Sequence, residues 1–165
     1  MVRKLNTSPF ALYNFKVNNT GMIPILFNYG ETVDISITTQ FAPTLGGVLS
    51  VAYPLMYDMR TLNIKPSHKM FRIITKINYV YFEGDSKYTK PLYAYRTELT
   101  EEQRKPGNVF EVNNEYSIDS SLLPDDIKKR DRGYFIFEAE WEEKTGHFKG
   151  TIASFALPVS ERSGE

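Results

Sequence analysis

The chain has few side chains whose types and spacing could do chemistry. Its two histidines, His68 and His147, lie far apart, and neither has a second ligand at a spacing such as His-x-x-x-His that would hold a metal. Cysteine is absent, which excludes disulfides, thiolate metal sites and cysteine nucleophiles. We therefore expect no metal centre and no cofactor.

The carboxylates and glycines also lack a catalytic pattern. Glu138, Glu140 and Glu142 share one strand face, whereas general acid–base catalysis needs two carboxylates in different environments around one substrate. Gly46-Gly47 lacks the Lys-Ser/Thr that follows in a phosphate-binding loop, and no serine lies in a nucleophile-elbow pattern. We expect a protein that is not an enzyme and has no small-molecule substrate. A site assembled from distant residues stays open as an alternative.

Aromatic residues are abundant, with 11 Tyr, 11 Phe and one Trp. Tyrosines cluster in "NYVYF" and "YAYR", where neighbouring basic residues would suit stacking on nucleic-acid bases. Aromatic side chains also favour strands and fill β cores, and we prefer that interpretation.

Most elements that would position these residues follow a period of two, which is typical of strands. The clearest case is a hairpin between 133 and 158, with a turn at Gly146. Phe135, Phe137, Ala139 and Trp141 share one face of it, which we expect to be buried in the core. Four further segments show strand patterns: "ETVDISITTQF", "KMFRIITKINYVYF", "KPLYAYRTEL" and "NVFEVNNEYSI".

One segment has helical spacing. Apolar residues in "APTLGGVLSVAYPLMYDMR" predict a helix over 43–53, with Pro43 in its first turn and a bent continuation towards residue 60 beyond Pro54. The sequence thus predicts an α+β fold: one domain over 1–165, mainly an antiparallel sheet with one main helix packed on it. We expect the ends, about 1–8 and 160–165, to be flexible.

The charges balance over the whole chain but are unevenly distributed. Residues 60–96 carry eight basic and two acidic groups, and residues 97–165 carry nine basic and fifteen acidic groups. Such asymmetry indicates a surface for anionic membrane or another polyanion, a contact between copies of the chain, or charges that average out in the fold. The candidate polyanion-binding residues are Lys65, Lys69, Arg72, Lys76, Lys87 and Lys90.

The opposite charges of the two segments also suggest head-to-tail self-association. We expect the apolar residues Pro9, Phe10, Leu12 and Tyr13 to dock on a neighbouring copy. The alternative is that this stretch packs on its own domain as an edge strand.

The order of strand, helix, long strand and Tyr-rich strand, with Gly-x-Phe-Lys-Gly-Thr-Ile at 146–152, resembles the globular core of rhabdovirus matrix proteins, especially of vesiculovirus type. The resemblance covers roughly residues 30–157 in order and spacing. The long Lys-rich N-terminal arm and the Pro-Pro-x-Tyr budding motif of that family are absent from this sequence.

The resemblance implies a non-enzymatic viral structural protein that self-associates and links anionic membrane to the viral nucleoprotein in its ribonucleoprotein. It also implies a location in the host cell and the virion, which agrees with the lack of a signal-peptide pattern or an apolar run long enough to span a membrane. The alternative is a β-sandwich structural or binding module, of capsid, tail or adaptor type, without a membrane role.

Overall fold

The described part of the protein is almost entirely β-structure in its computed structural model. The structure describes residues 3–5, 8–17, 25–44, 71–100, 102–103, 105, 107–125, 130, 132–144, 146, 148–157 and 159–161. These residues form ten strands, which in chain order are β1 (Arg3–Leu5), β2 (Phe10–Val17), β3 (Ile25–Phe27), β4 (Thr32–Pro43), β5 (Phe71–Glu83), β6 (Ser86–Thr97), β7 (Phe110–Asp119), β8 (Tyr134–Glu143), β9 (Phe148–Leu157) and β10 (Val159–Glu161).

The larger sheet has the strand order β1-β9-β8-β5-β6. Its strands pair antiparallel except β1, which runs parallel to β9. The predicted hairpin is confirmed as β8 and β9. Gly146 has φ of 85° in the turn, and its N–H donates to the Glu143 carbonyl at 2.9 Å. The predicted dry face is also confirmed, because Phe135, Phe137, Ala139 and Trp141 are fully buried.

The smaller sheet has the order β2-β4-β7 and is antiparallel throughout. Strands β3 and β10 form a separate parallel pair. A short 3-10 helix, Ser120–Leu122, follows β7.

The larger sheet and the smaller sheet pack face to face around one apolar core. Phe15 of β2 stacks on Phe155 of β9 with ring centres 4.2 Å apart. Near the other end of the interface, the Thr75 hydroxyl of β5 donates to Asn114 Oδ1 of β7 at 2.6 Å. Buried aromatic and aliphatic side chains from both sheets fill the space between these contacts. The architecture is therefore a two-layer β-sandwich.

The predicted fold class is wrong, since the described residues form a nearly all-β sandwich and not an α+β domain with a main helix. Pro43, which we placed in the first turn of a helix, is the last residue of β4 and pairs with Phe10. A long-range strand pairing thus overrides the local helical spacing at this point. The rest of the predicted helix, from residue 45 onwards, lies outside the described residues.

The flexibility of the two ends stays a prediction, but residues near both ends take part in strand pairing. Arg3–Leu5 lies beside Phe148–Gly150 in the larger sheet, and Val159–Glu161 pairs with Ile25–Phe27.

Candidate interaction surface

Strand β6 is the most exposed long strand of the structure. Ten of its twelve residues are exposed, and only Leu92 and Thr97 are half-buried. Its neighbour β5 is mostly buried. Within the described residues, β6 is also the edge of the larger sheet. It therefore presents both faces and one edge to solvent.

The pairing of β6 with β5 decides which side chains point towards the smaller sheet. Residues directly opposite each other in a ladder project to the same face. Four residues of β5 point towards the smaller sheet, and each lies opposite one residue of β6. The pairs are Thr75 with Tyr95, Ile77 with Tyr93, Tyr79 with Lys90, and Tyr81 with Tyr88. A bulge at Leu92, which leaves that residue without an opposite partner, keeps Tyr93 in line with Lys90. We call Tyr88, Lys90, Tyr93 and Tyr95 the tyrosine edge.

Contacts within the protein fix both ends of the tyrosine edge. Tyr88 stacks on Tyr81 with ring centres 5.5 Å apart. At the other end, the Tyr95 hydroxyl donates to the Glu115 carbonyl at 2.8 Å, and its ring meets the edge of Tyr116. Even so, Tyr88, Tyr93 and Tyr95 are 43%, 39% and 40% exposed. The rings of Tyr88 and Tyr95 are held by these contacts before a partner arrives, which lowers the entropy lost on binding.

Lys90 is held in the same row. Its ammonium group donates to the Leu122 carbonyl at 2.7 Å, at the end of the 3-10 helix. Lys87 is also exposed on β6 but projects to the other face, opposite Phe82. The two lysines thus place positive charge on both sides of the same edge strand.

The outer face of the larger sheet carries an ion-pair network instead of a free basic surface. Lys76 lies 2.9 Å from Glu140 and 3.4 Å from Glu138. Arg72 and Arg96 both contact Glu142. The network extends to Glu98, whose carboxylate lies 2.8 Å from Lys144 and 3.4 Å from Arg72. It combines four basic and four acidic groups, so its charges cancel.

The same pairing shifts the pKa of Lys76, Arg72 and Glu98. Burial alone would lower the pKa of Lys76, but the contacts with Glu140 and Glu138 outweigh it and raise that pKa. The hydrogen bond to Glu142 raises the pKa of Arg72, and the contact with Lys144 lowers the pKa of Glu98. These shifts favour the charged forms of Lys76, Arg72 and Glu98.

The predicted polyanion-binding residues therefore do not share one environment. Lys65 and Lys69 lie outside the described residues. Arg72 and Lys76 belong to the ion-pair network, whereas Lys87 and Lys90 lie on exposed β6. Binding of this set to a polyanion stays a prediction.

The predicted self-association residues lie at the start of β2, an edge strand of the smaller sheet. Pro9 and Phe10 are buried, with Phe10 edge-on to Phe110, and Leu12 is half-buried. A bulge at Tyr13 leaves that side chain 70% exposed. Docking of this stretch on a second copy stays a prediction, and Tyr13 is its accessible member.

A second charged surface was not identified from the sequence. The outer face of the smaller sheet carries four exposed carboxylates, which we call the acidic face: Asp34 on β4, and Glu111, Glu115 and Asp119 on β7. The only basic residue on its strands is Lys16 on β2. The signal in the sequence was the alternation of acidic and apolar residues in "VDI" and in "FEVNNEYSID".

The described residues contain no group of three His, Cys, Asp or Glu side chains that could hold a metal ion. His68 and His147 lie outside that part of the chain. No helix in the same described segments has the length and apolar character needed to cross a membrane.

The fold and the exposed edge thus define a β-sandwich protein with an aromatic surface strip. No protein-family model matches the chain, and no curated protein matches it. Among solved structures it is similar to the sporulation control protein Spo0M of Bacillus subtilis, with a TM-score of 0.47 and 8% identity over 94% of this chain and 51% of that one. The chain thus spans about half the length of Spo0M.

Two further structural similarities are of the same kind. β-Glucuronidase 2 of Bacteroides uniformis has a TM-score of 0.44 and 9% identity over 92% of this chain and 14% of the enzyme. The DNA glycosylase AlkC of Pseudomonas fluorescens has a TM-score of 0.36 and 10% identity over 94% of this chain and 31% of the enzyme. Similarities of this size support no conclusion about function.

Proposed function

We propose that this protein is a non-enzymatic β-sandwich module that acts by binding another protein through the tyrosine edge. The observation that carries the proposal is the row of partly exposed tyrosines on β6. Tyr81 holds Tyr88 in this row, and Tyr116 and the Glu115 carbonyl hold Tyr95. Tyrosine has a large apolar ring and a polar hydroxyl, so it contributes strongly to protein interfaces at a low entropy cost.

The partner binds side chains of β6 and does not extend the sheet. Pro91 has no N–H to donate, Leu92 forms a bulge, and Lys87 and Lys90 place charge along the edge. These are the features by which edge strands resist pairing with a strand of another chain. The tyrosine rings are therefore the main contact.

Native mass in extracts of the cells that produce the protein tests this proposal. The variant is Tyr88→Ser with Tyr93→Ser, which leaves Tyr95 and its hydrogen bond in place. We expect the wild-type chain to run in a complex and the variant to run at its monomer mass. The matched control is Val109→Ser, since Val109 is 45% exposed but lies off β6, and it should leave the complex intact.

Circular dichroism and thermal unfolding of the purified variants establish that both remain folded. A wild-type chain that runs as a monomer in the extract would overturn the proposal. So would a complex that survives the double substitution.

The matrix-type function is a second proposal, in which the protein links anionic membrane to a ribonucleoprotein. The observation that favours it is the exposure of Lys87 and Lys90 on one strand. Each exposed lysine near an anionic membrane contributes about 1 kcal/mol. Lys87→Glu with Lys90→Glu should then reduce flotation with phosphatidylserine vesicles, and salt should reduce it further by screening. Equal flotation of wild type and variant, or none with either, argues against it.

A further inference from the structure

We infer that the tyrosine edge of one copy of this chain binds the acidic face of a second copy. In this contact Lys87 and Lys90 of the first copy meet the carboxylates of the second. This inference rests on the proposed function and names the partner for the same surface.

Charge makes the two surfaces complementary. Strand β6 carries Lys87, Lys90 and Arg96 and has no acidic residue. Arg96 is paired with Glu142, which leaves the two lysines as the charges that a partner meets first. The acidic face presents four exposed carboxylates. Opposite charges of this kind accelerate encounter and fix the register of a contact, while the tyrosine rings supply apolar area.

Hydrogen bonds hold three of the four carboxylates of the acidic face. The Ser117 hydroxyl donates to Asp34 at 2.7 Å, and the amides of Gln40 and Asn113 donate to Glu111 at 3.4 and 3.3 Å. Hydrogen bonds from Ser121 lower the pKa of Asp119, so that group stays ionised in mild acid. Most side chains of both surfaces are thus held before contact, which favours binding without rearrangement.

The contact must join two different surfaces. Two β6 strands placed side by side would bring Lys87 and Lys90 of both copies together, and like charges opposite each other destabilise a pair. Two acidic faces would repel each other in the same way. A head-to-tail contact between unlike surfaces leaves one of each free at the ends, so it grows into a ring or an open filament.

Charge reversal in purified protein tests the inference. The edge variant is Lys87→Glu with Lys90→Glu, and the face variant is Glu111→Lys with Glu115→Lys. Light scattering across a concentration series at low salt should show assembly of the wild type that decreases with salt. Each variant alone should assemble at least about tenfold more weakly. The edge variant carries negative charge on both surfaces, and in the face variant two lysines cancel the two remaining carboxylates of the acidic face.

An equal mixture of the two variants gives the decisive result. The basic edge of the face variant meets the intact acidic face of the edge variant. Pairs of the two variants should therefore form in the mixture. The matched control is Lys105→Glu with Lys149→Glu, which changes the total charge as the edge variant does at exposed positions off β6, and it should assemble like the wild type.

Several results would overturn the inference. A wild-type chain that stays monomeric at high concentration and low salt overturns it. So does an equal mixture of the edge and face variants that stays monomeric although both variants are folded. If the face variant fails to fold, Glu111→Gln with Glu115→Gln replaces it, and unchanged assembly of that variant also rejects the contact. Loss of assembly only in Tyr13→Ser would assign it to β2 instead.

Different results reject the binding function of the tyrosine edge and the second copy as its partner. The purified chain could be monomeric while a complex in cell extract depends on Tyr88 and Tyr93. That result rejects a second copy as the partner and supports the proposed binding module with a different partner. Loss of the complex in extract as well rejects both.

Discussion

The guanidinium group of Arg130 lies 3.9 Å from the centre of the Tyr29 ring and binds the Glu161 carboxylate through two contacts of 2.9 and 3.0 Å. It also donates to the carbonyls of Pro124 and Asp125. Tyr29 follows β3, and Glu161 is the last residue of β10. One side chain therefore joins the segment before β8 to the separate β3–β10 pair.

Loss of the Arg130 side chain should destabilise the fold. The side chains of Arg130 and Glu161 are only 6% and 14% exposed, so an unpaired carboxylate would remain in a mostly buried site. Arg130→Ala should cost about 3 kcal/mol, and Arg130→Lys somewhat less, because lysine keeps the charge but not the forked contact. Urea unfolding measures both.

Arg132→Ala is the matched control for Arg130, since Arg132 is exposed and lies 5.2 Å from the Phe82 ring. Its cost should be about 0.5–1 kcal/mol. Equal costs for Arg130→Ala and Arg132→Ala would show that the buried ion pair does not hold the β3–β10 pair in place.

Gly133 should not tolerate a side chain. A Cβ at this position would overlap the Tyr79 hydroxyl and meet the Val80 carbonyl at 3.0 Å. Tyr79 is 1% exposed and packed between Tyr81 and Phe135, so it has little room to move. Gly133→Ala should therefore cost about 1–3 kcal/mol in thermal or urea unfolding.

Removal of the opposing hydroxyl provides the control for Gly133. In the background Tyr79→Phe, the added cost of Gly133→Ala should be smaller than in the wild type. Strict additivity of the two substitutions would mean that the clash is absent.

Trp141 should be one of the most sensitive core positions. Its side chain is fully buried, and its ring meets the edge of Phe71 with centres 5.5 Å apart. Trp141→Ala should cost about 3–5 kcal/mol, because a large cavity remains in the sandwich. Tyr13→Ala, at a side chain 70% exposed, should stay within about 0.5 kcal/mol in the same urea titration. Comparable costs at the two positions would contradict the predicted core.

Tyr116 should make stability depend on alkaline pH. Burial is the main cause that raises its pKa from 10.0 to about 12. Between these values the unfolded chain has lost the proton that the folded chain keeps, so stability falls as pH rises from about 10 to 12 by roughly 1.4 kcal/mol per unit. Below pH 10 the Tyr116 hydroxyl is protonated in both states and does not make stability depend on pH.

The comparison with Tyr116→Phe isolates this group from the other tyrosines. Urea unfolding at several alkaline pH values should show that the wild type loses stability faster than the variant in that window. Parallel curves would mean that Tyr116 ionises as easily in the folded state as in the unfolded state.

The sequence by itself indicated six of the ten strands, β4 to β9, and the buried face of β8. Phe135, Phe137 and Trp141 were predicted as core because strand side chains alternate with a period of two, and that property belongs to the local backbone. Gly146 was predicted in the turn for an equally local reason, since only glycine takes its positive φ without strain.

Only the tertiary structure decided how those strands combine. Strand β5 lies between β6 and β8, and this order brings Lys76 to Glu138 and Glu140 and neutralises part of the predicted basic surface. The bulges at Tyr13 and Leu92 likewise depend on the partner strand, so periodicity alone did not show that Tyr93 aligns with Lys90. Pairing between segments far apart in the chain is non-local, whereas the helical spacing around Pro43 is local. That is why the sequence predicted β4 to β9 but not the short parallel strands β1, β3 and β10, the ion-pair network or the alignment of the tyrosine edge.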